Sequence, residues 1–204
     1  MRTLSFRRSD RQRNTGFSLI EVLVSIVVLS FGLLGMVGLQ AASLQANRDA
    51  RLQSTAILLA RDIAEAMRGN KAVAVDPTVT SPYLGEFQST GSNPLVPTVA
   101  SYCLNVGQNC ANPTATANAQ MTEWLARVSY ELPGARVSIC KDSAPYDPTS
   151  GLPRWVCSST STTDIVVVKI GWTRAKFRHG SATDSLDRAD QPSVMLPVTP
   201  GSTL

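Results

Sequence analysis

The chain has 204 residues, of which 43% are hydrophobic and 17% charged, and its formal net charge is +4. That charge lies wholly within residues 1–16, where five arginines and one aspartate stand, so 14 basic and 14 acidic residues remain after them. The neutral remainder gives no support for a basic nucleic-acid surface, and no nucleic-acid partner is expected. The length leaves room for one modest globular domain beside a membrane segment.

An apolar segment runs from Phe17 to Leu39 and contains one charged residue, Glu21. A helix of this length crosses a hydrocarbon core of about 30 Å. The arginines before it predict a cytoplasmic N-terminus and an outward-facing remainder, which in a bacterium is periplasmic. No convincing A-x-A-like cleavage site of the secretory kind follows the segment within the next few turns, so we expect the helix to be retained.

The stretch GFSLIE, residues 16–21, resembles the class III signal of type IV prepilins, with a short basic leader before it and an unbroken apolar helix after it. The resemblance implies that prepilin peptidase cuts between Gly16 and Phe17 and that the new amino group of Phe17 is methylated. It divides the chain into a leader (1–16), the transmembrane and assembly half of the first helix (17–40) and a periplasmic pilin-like domain (41–204).

Glu21 stands four residues after the predicted cut. A carboxylate at the centre of a membrane helix costs about 2.5 to 3.5 kcal/mol, less near the helix end, so it normally needs a partner. One interpretation is that water or head groups reach it. The other, implied by the resemblance, is that it meets the amine of Phe17 in its own or a neighbouring subunit, which would favour one axial register between subunits.

Beyond Ser43 the pattern becomes amphipathic, and it predicts one helix from about Ser18 to Arg68. The stripe consists of Leu44, Leu52, Ala56, Leu59, Ile63 and Met67. The proline-rich stretch 70–113 is predicted to be an irregular connection. A second helix is expected to begin at Asn112-Pro113 and to end at Pro133-Gly134, with Trp124 in the core.

After Gly134 the apolar period changes to two, which is typical of strands. We predict strands at residues 136–140, 154–157 and 164–172, and a short edge strand at 194–196 between Pro192 and Pro197. The order of elements predicts an α+β, pilin-like fold. A long N-terminal helix, with a membrane half and an amphipathic half, would pack on a small antiparallel sheet with a second helix.

The C-terminal part resembles the PilV family of minor pilins, also called type IV pilus modification proteins. The residues that carry this resemblance are Cys110, Trp124, Leu132-Pro133-Gly134, Val137, Val168 and Gly171-Trp172. Major pilins close a disulfide loop at the extreme C-terminus, whereas no cysteine follows Cys157 here. That departure argues against a major subunit.

Four cysteines beyond residue 100 fit an oxidising compartment and allow three pairings. We favour Cys103–Cys110, which closes a short loop, and Cys140–Cys157, whose residues lie on strands expected to be neighbours. Each bond could contribute about 2 to 4 kcal/mol. A zinc site is the rival, but the spacings lack a C-x-x-C pair. Neither a metal nor a cofactor is expected.

Catalytic signals are weak. His179 is the only histidine and lies in a polar, loop-like stretch, and Asp184 and Asp187 stand in a solvated one. No phosphate loop, dinucleotide fingerprint or histidine-rich metal motif is present in the sequence. No catalytic residue is proposed, and the chain is not expected to be an enzyme.

These observations favour an assembly protein, a minor pilin that helps to initiate type IV pilus assembly and supports adhesion or twitching motility. It would be held in the inner membrane by one span and then lie at or near the fibre tip. Its partners would be prepilin peptidase, other minor pilins, the major pilin, the inner-membrane assembly platform and lipid. The alternatives are a minor pseudopilin of a type II secretion system, a DNA-uptake pilin, and a membrane-anchored periplasmic binding module or enzyme.

Overall fold

The computed structural model describes residues 16–75, 81–89, 94–159, 161, 164–175, 186–187 and 190–201. The helices are α1 (Leu19–Gly69), α2 (Lys71–Ala74) and α3 (Pro113–Glu131). The strands are β1 (Gly85–Gln88), β2 (Arg136–Lys141), β3 (Val166–Gly171), β4 (Arg174–Ala175), β5 (Leu186–Asp187) and β6 (Val194–Val198). The chain forms two units, which meet between Asn47 and Arg48 in the sequence.

The N-terminal unit is the first part of α1. Every described residue from 16 to 47 is exposed, including all the apolar ones. With a mean hydropathy of 2.6 in its most apolar window, α1 is long and apolar enough to cross a membrane. A helix that is apolar on all sides is stable only in lipid or among other helices.

The globular unit begins at Arg48 and uses the rest of α1 as part of its core. One stripe of this helix is buried, and it consists of Ala56, Leu59, Ala60, Ile63, Ala64 and Met67. The predicted amphipathic half of the helix is therefore confirmed from Ala56 onward. Leu44, at the start of the predicted stripe, lies in the N-terminal unit and is exposed.

Helix α3 runs antiparallel to this part of α1. The Trp124 indole N–H donates to the Leu59 carbonyl at 2.9 Å, whereas the Asn70 side chain, just beyond α1, donates to the Pro113 carbonyl at 2.7 Å. Trp124 is buried, as predicted. The start of α3 is also as predicted, since the Asn112 side chain accepts the Ala115 N–H at 2.8 Å.

Gly134 lies in the turn between α3 and β2. Its φ of +56° is a backbone conformation that residues other than glycine rarely adopt. A Cβ atom here would lie 2.2 Å from the Thr173 hydroxyl oxygen. Thr173 in turn donates its backbone N–H to the Pro133 carbonyl at 2.8 Å. Glycine is thus required both for the turn and for its close approach to the segment that follows β3.

Four strands form one antiparallel sheet in the order β1-β2-β3-β6. One face of the sheet packs on the helices through Val137, Ile139, Val168 and Ile170. The long helix, the second helix and the small antiparallel sheet are the α+β, pilin-like architecture expected from the sequence. Strands β4 and β5 form a separate antiparallel pair.

Two local predictions were wrong. The stretch 154–157 is not a strand, because the carbonyl groups of Arg154 and Val156 accept from the Lys169 ammonium group instead of joining a ladder. The connection 70–113 is not wholly irregular, because the short helix α2 and strand β1 lie within it. Strand β1 has four residues and buries only Phe87, which is too little for a periodic signal.

We expect Trp124→Phe to lower the free energy of unfolding of the globular unit by about 1 to 3 kcal/mol. The change removes the indole N–H, so the buried Leu59 carbonyl loses a donor, and the smaller phenyl ring leaves a cavity in the core. Urea denaturation of residues 48–204, followed by circular dichroism, measures the change. Tyr130→Phe, on an exposed side chain of α3, is the control and should change it by less than about 0.5 kcal/mol. Equal effects would contradict the role given to this bond.

Candidate assembly site

Gly16 and Phe17 lie before α1 and are separated from it by Ser18, and Glu21 lies in the first turn of the helix. The Phe17 side chain is 83% exposed, and Glu21 is exposed as well. The Ser18 carbonyl accepts the backbone N–H groups of Glu21 and Val22 at 3.0 and 3.3 Å, which starts the helix. Spacing of four residues in a helix brings side chains to the same face.

Glu21 is placed for contact outside its own helix. Ser25 donates its hydroxyl to the Glu21 main-chain carbonyl at 2.7 Å. Within the described part of the chain, no side chain bonds to the Glu21 carboxylate. Its position in the first turn favours a negative charge by about 0.3 to 1 kcal/mol, which is less than the cost of burying that charge in lipid.

A shallow groove of about 360 Å³ runs along this face of the helix. Phe17 and Glu21 lie at one end of it, and the remainder is lined by Val22, Ser25, Ile26 and Leu29. The lining is apolar apart from one carboxylate and one hydroxyl. Such a surface is suited to packing against another apolar helix that brings one positive group.

The four cysteines form two disulfide bonds, Cys103–Cys110 and Cys140–Cys157, and none is free. These are the two pairs that the sequence analysis favoured. Cys140, Cys157 and Asp142 lie close enough together to suggest a metal site. The two sulfur atoms are bonded to each other, however, and zinc requires cysteine as a thiolate, so this cluster does not fit zinc.

The segment 94–112 is fastened along α3. Ser129 and Thr122, both on α3, accept the backbone N–H groups of Leu95 and Ser101 through their hydroxyl oxygens at 2.8 and 3.0 Å. The Cys103 sulfur lies 3.5 Å from the Ala115 carbonyl oxygen in the first turn of that helix. The small Cys103–Cys110 loop is therefore held at the start of α3.

The outer face of the sheet carries a buried ion pair that the sequence analysis missed. Lys169 lies in the middle of β3, and its ammonium nitrogen is 2.5 Å from a carboxylate oxygen of Asp142. Both side chains are completely buried. The ammonium also donates to the carbonyl groups of Arg154 and Val156 at 2.9 and 3.1 Å. A lysine inside the run VVVKIG was the available signal.

This pair fixes the loop 142–159 over the sheet. The Asp142 carboxylate accepts the backbone N–H groups of Ala144 and Ser158 at 3.0 and 3.1 Å, and the Cys140–Cys157 bond ties the same loop to β2. Burial alone would raise the pKa of Asp142. The Lys169 ammonium and the two backbone donors outweigh that effect and hold the pKa below its ordinary value.

Trp155 completes the cover of the outer face. The Arg136 guanidinium lies over its ring, 4.4 Å from the centroid, and also pairs with Glu86 on β1. Arginine stacked on an aromatic ring adds about 0.5 to 2 kcal/mol to the contact. The loop is thus held by a disulfide, an ion pair and a stacked cation.

The structure does not describe the side-chain surroundings of the weak catalytic candidates. His179 and Asp184 lie outside the described residues, and only the backbone of Asp187 is described. The titratable groups brought together within the described ranges are those of the Asp142–Lys169 pair and exposed ion pairs such as Asp62–Arg127.

The prokaryotic N-terminal methylation motif matches residues 11–37, a range that contains Gly16, Phe17 and Glu21. The match supports a type IV pilin-like protein, of a pilus or a pseudopilus, which is a structural protein rather than a member of an enzyme family. Together with the apolar helix it supports single-pass membrane anchoring, processing by prepilin peptidase and assembly with pilus machinery. No curated protein and no solved structure matches the chain significantly.

The buried pair predicts an acid-sensitive globular unit. Because the pKa of Asp142 is lowered in the folded state, its contribution is fully present well above the unfolded value of about 3.9 and is lost as pH falls through the lower folded value. We expect Asp142→Asn to destabilise the unit by about 3 to 5 kcal/mol at pH 7, since Lys169 is then buried without a counter-charge. Urea denaturation between pH 7 and pH 2.5 measures both effects.

The control for this prediction is Asp62→Asn, which removes the exposed partner of Arg127. We expect it to cost less than about 1 kcal/mol and to keep the acid dependence of the unmodified protein. Asp142→Asn should instead show a weaker decline in stability between pH 5 and pH 2.5. An equal decline in both variants would mean that other carboxyl groups carry the acid sensitivity.

Proposed function

We propose that this chain is a minor pilin of a type IV pilus that helps to initiate fibre assembly and lies at or near the fibre tip. Residues 1–16 are the leader, 17–40 the transmembrane and assembly half of α1, and 41–204 the periplasmic domain. The single observation that carries the proposal is the methylation motif at the start of a helix whose apolar residues are exposed on every side. The resemblance of residues 110–172 to PilV-type minor pilins supports the finer assignment.

In this function α1 has two successive environments. Before assembly its apolar half is solvated by lipid, and after assembly it packs against the same half of other subunits, so that no apolar surface meets water in either state. The transfer needs no covalent chemistry beyond the cut after Gly16 and the methylation of Phe17. The globular unit is folded throughout, because its core is independent of residues 16–47.

Glu21 sets the register in this proposal. Cleavage creates a positive amine on Phe17, and the Glu21 carboxylate of a neighbouring subunit is its natural counter-charge. Among packed helices the effective dielectric is low, so a misaligned subunit would leave both charges buried without partners. Only the aligned packing avoids that cost.

A minor pseudopilin of a type II secretion system is the alternative, because the methylation motif is common to both kinds of assembly. Deletion of this chain should reduce surface fibres and twitching motility if the proposal is right. Loss of protein secretion with intact fibres would favour the pseudopilin. Adhesion and twitching are therefore the phenotypes to measure beside secretion.

The N-terminal peptide tests the processing step. Protein extracted from the membranes of the native host should begin at Phe17, with the mass of one added methyl group. Gly16→Val should leave residues 1–16 in place, because the resemblance assigns Gly16 to the cut. Mass spectrometry of the N-terminal peptide distinguishes the two. An intact Met1 in the unmodified chain, or a cut beyond Leu39, would overturn the proposal.

Substitution of Glu21 tests the register step. We expect Glu21→Gln to be processed normally but to enter sheared fibres at least about tenfold less, since a lost charged hydrogen bond corresponds to roughly 1.5 to 3 kcal/mol. Ser30→Ala, on the same exposed part of α1, is the control and should enter fibres normally. Immunoblots of the fibre and membrane fractions give the ratio. Normal incorporation of Glu21→Gln would rule out a register role.

A further inference from the structure

The longest uncharged stretch of the mature sequence lies between Glu86 and Glu123, where no Asp, Glu, Lys, Arg or His occurs. In this protein 17% of all residues are charged, so such a stretch is unusual. Within it, the segment 94–112 exposes a series of apolar side chains instead of burying them. They are Val96, Val99, Tyr102, Leu104 and Val106, and Val106 is fully exposed.

We call the exposed residues Tyr102, Leu104 and Val106 the loop tip. The disulfide Cys103–Cys110 closes the loop that carries Leu104 and Val106. Two backbone bonds hold the loop further, from Asn105 N–H to the Tyr102 carbonyl and from Gln108 N–H to the Asn105 carbonyl, both at 3.0 Å. The loop tip is therefore a rigid apolar surface, which loses little conformational entropy on binding.

The location of the loop tip follows from its contacts within the globular unit. Cys103 lies against Ala115 in the first turn of α3, and the Pro113 carbonyl of that turn accepts from the Asn70 side chain just beyond α1. The loop tip is thus at the end of the globular unit where α1 stops. The chain enters this unit at Arg48, which is the other end of the same helical segment.

We propose that the loop tip is the docking surface for the globular domain of another pilin-type subunit that neighbours this chain in the fibre. The identity of the partner rests on the proposed function. In a fibre the globular unit of this chain is surrounded by those of neighbouring subunits, and an exposed apolar loop would meet them there. The contact is heterologous, because subunits of one orientation cannot present the same end to each other.

The chemistry of the surface selects this class of partner. The cores of protein interfaces are depleted in charged residues and enriched in aromatic ones, and exposed apolar patches with a polar rim mark such interfaces. Anionic membranes and nucleic acids are bound through lysine and arginine, which the stretch from 87 to 122 lacks. The partner surface is expected to be uncharged and apolar as well, since a buried charge without a counter-charge would oppose binding.

The test uses the full chain in its native host, with a photo-crosslinking amino acid at position 106. The control carries it at position 130, where the unmodified chain has a tyrosine that is exposed on α3 and lies outside the uncharged stretch. We expect light to join position 106 to a different polypeptide that begins with a processed class III signal. The yield should exceed that at position 130 by at least about tenfold, the factor that 1.4 kcal/mol of binding preference gives.

A second pair of variants tests the apolar contact itself, with the crosslinker at position 102. Val106→Asp should lower the adduct yield at least about tenfold, whereas Tyr130→Asp should leave it unchanged. Both positions are exposed, so neither change disturbs the core. Retention of both disulfides and of the circular dichroism spectrum verifies the fold. Equal yields in the two variants would overturn the proposal.

The remaining outcomes separate this inference from the proposed function. The docking assignment is overturned if no adduct forms. It is also overturned if the adduct contains lipid, polysaccharide, a second copy of this chain or a protein that lacks the signal. The N-terminal mass from the same sample decides the other question. Methylated Phe17 with no adduct leaves the proposed function standing and the inference refuted, whereas an uncut chain refutes the proposed function whatever the adduct.

Discussion

The structure depends on the two different surroundings that α1 requires along its length. Its N-terminal part presents apolar side chains on all sides and has no cover of its own, whereas the part beyond Ala56 buries one stripe against α3 and the sheet. The burial of apolar surface is the main source of stability in both parts. The first part can obtain it only from lipid or from other helices, and the second obtains it from its own chain.

The sheet has four strands, and its strand β3 is buried on both faces. The helices cover one face. The loop 142–159 covers the other face and forms no strand. It is held by the Cys140–Cys157 bond, by Arg136 stacked on Trp155, and by the Asp142–Lys169 pair. A buried ammonium is unfavourable unless its donors are matched, and here a carboxylate and main-chain carbonyl groups match them. The desolvation cost of the ammonium is offset here because the lysine satisfies several carbonyl groups that no strand reaches.

The two disulfides therefore serve different surfaces of one small unit. Cys140–Cys157 closes a loop that faces inward and completes the core. Cys103–Cys110 closes a loop that faces outward, at the end of the unit where α1 stops, and exposes Val106. The proposed function needs both properties, since the domain of a fibre subunit must stay folded without help from the apolar part of α1 and must still offer surface to neighbours. In that proposal, exposed apolar surface serves association and buried apolar surface serves stability.

The sequence by itself determined the features whose signals are local. The apolar segment and the GFSLIE motif, the amphipathic stripe, the Asn112 cap, the Gly134 stop and the strongest strand are each visible within about twenty residues or fewer, because periodicity, capping and backbone preference act over that range. The pairing of cysteines was also favoured correctly, although the stretch around Cys157 proved to be a loop.

Only the tertiary structure decided the remaining features, because they depend on residues that are far apart in the chain. Strand β1 exists through its pairing with β2, some fifty residues later, and Asp142 and Lys169 are 27 positions apart. No local pattern says that a lysine in a strand will be completely buried, or that its ammonium will hold the carbonyl groups of residues 154 and 156. The assembly motif could be recognised from composition and spacing alone, whereas the surfaces that the globular unit buries and exposes follow from how its elements pack.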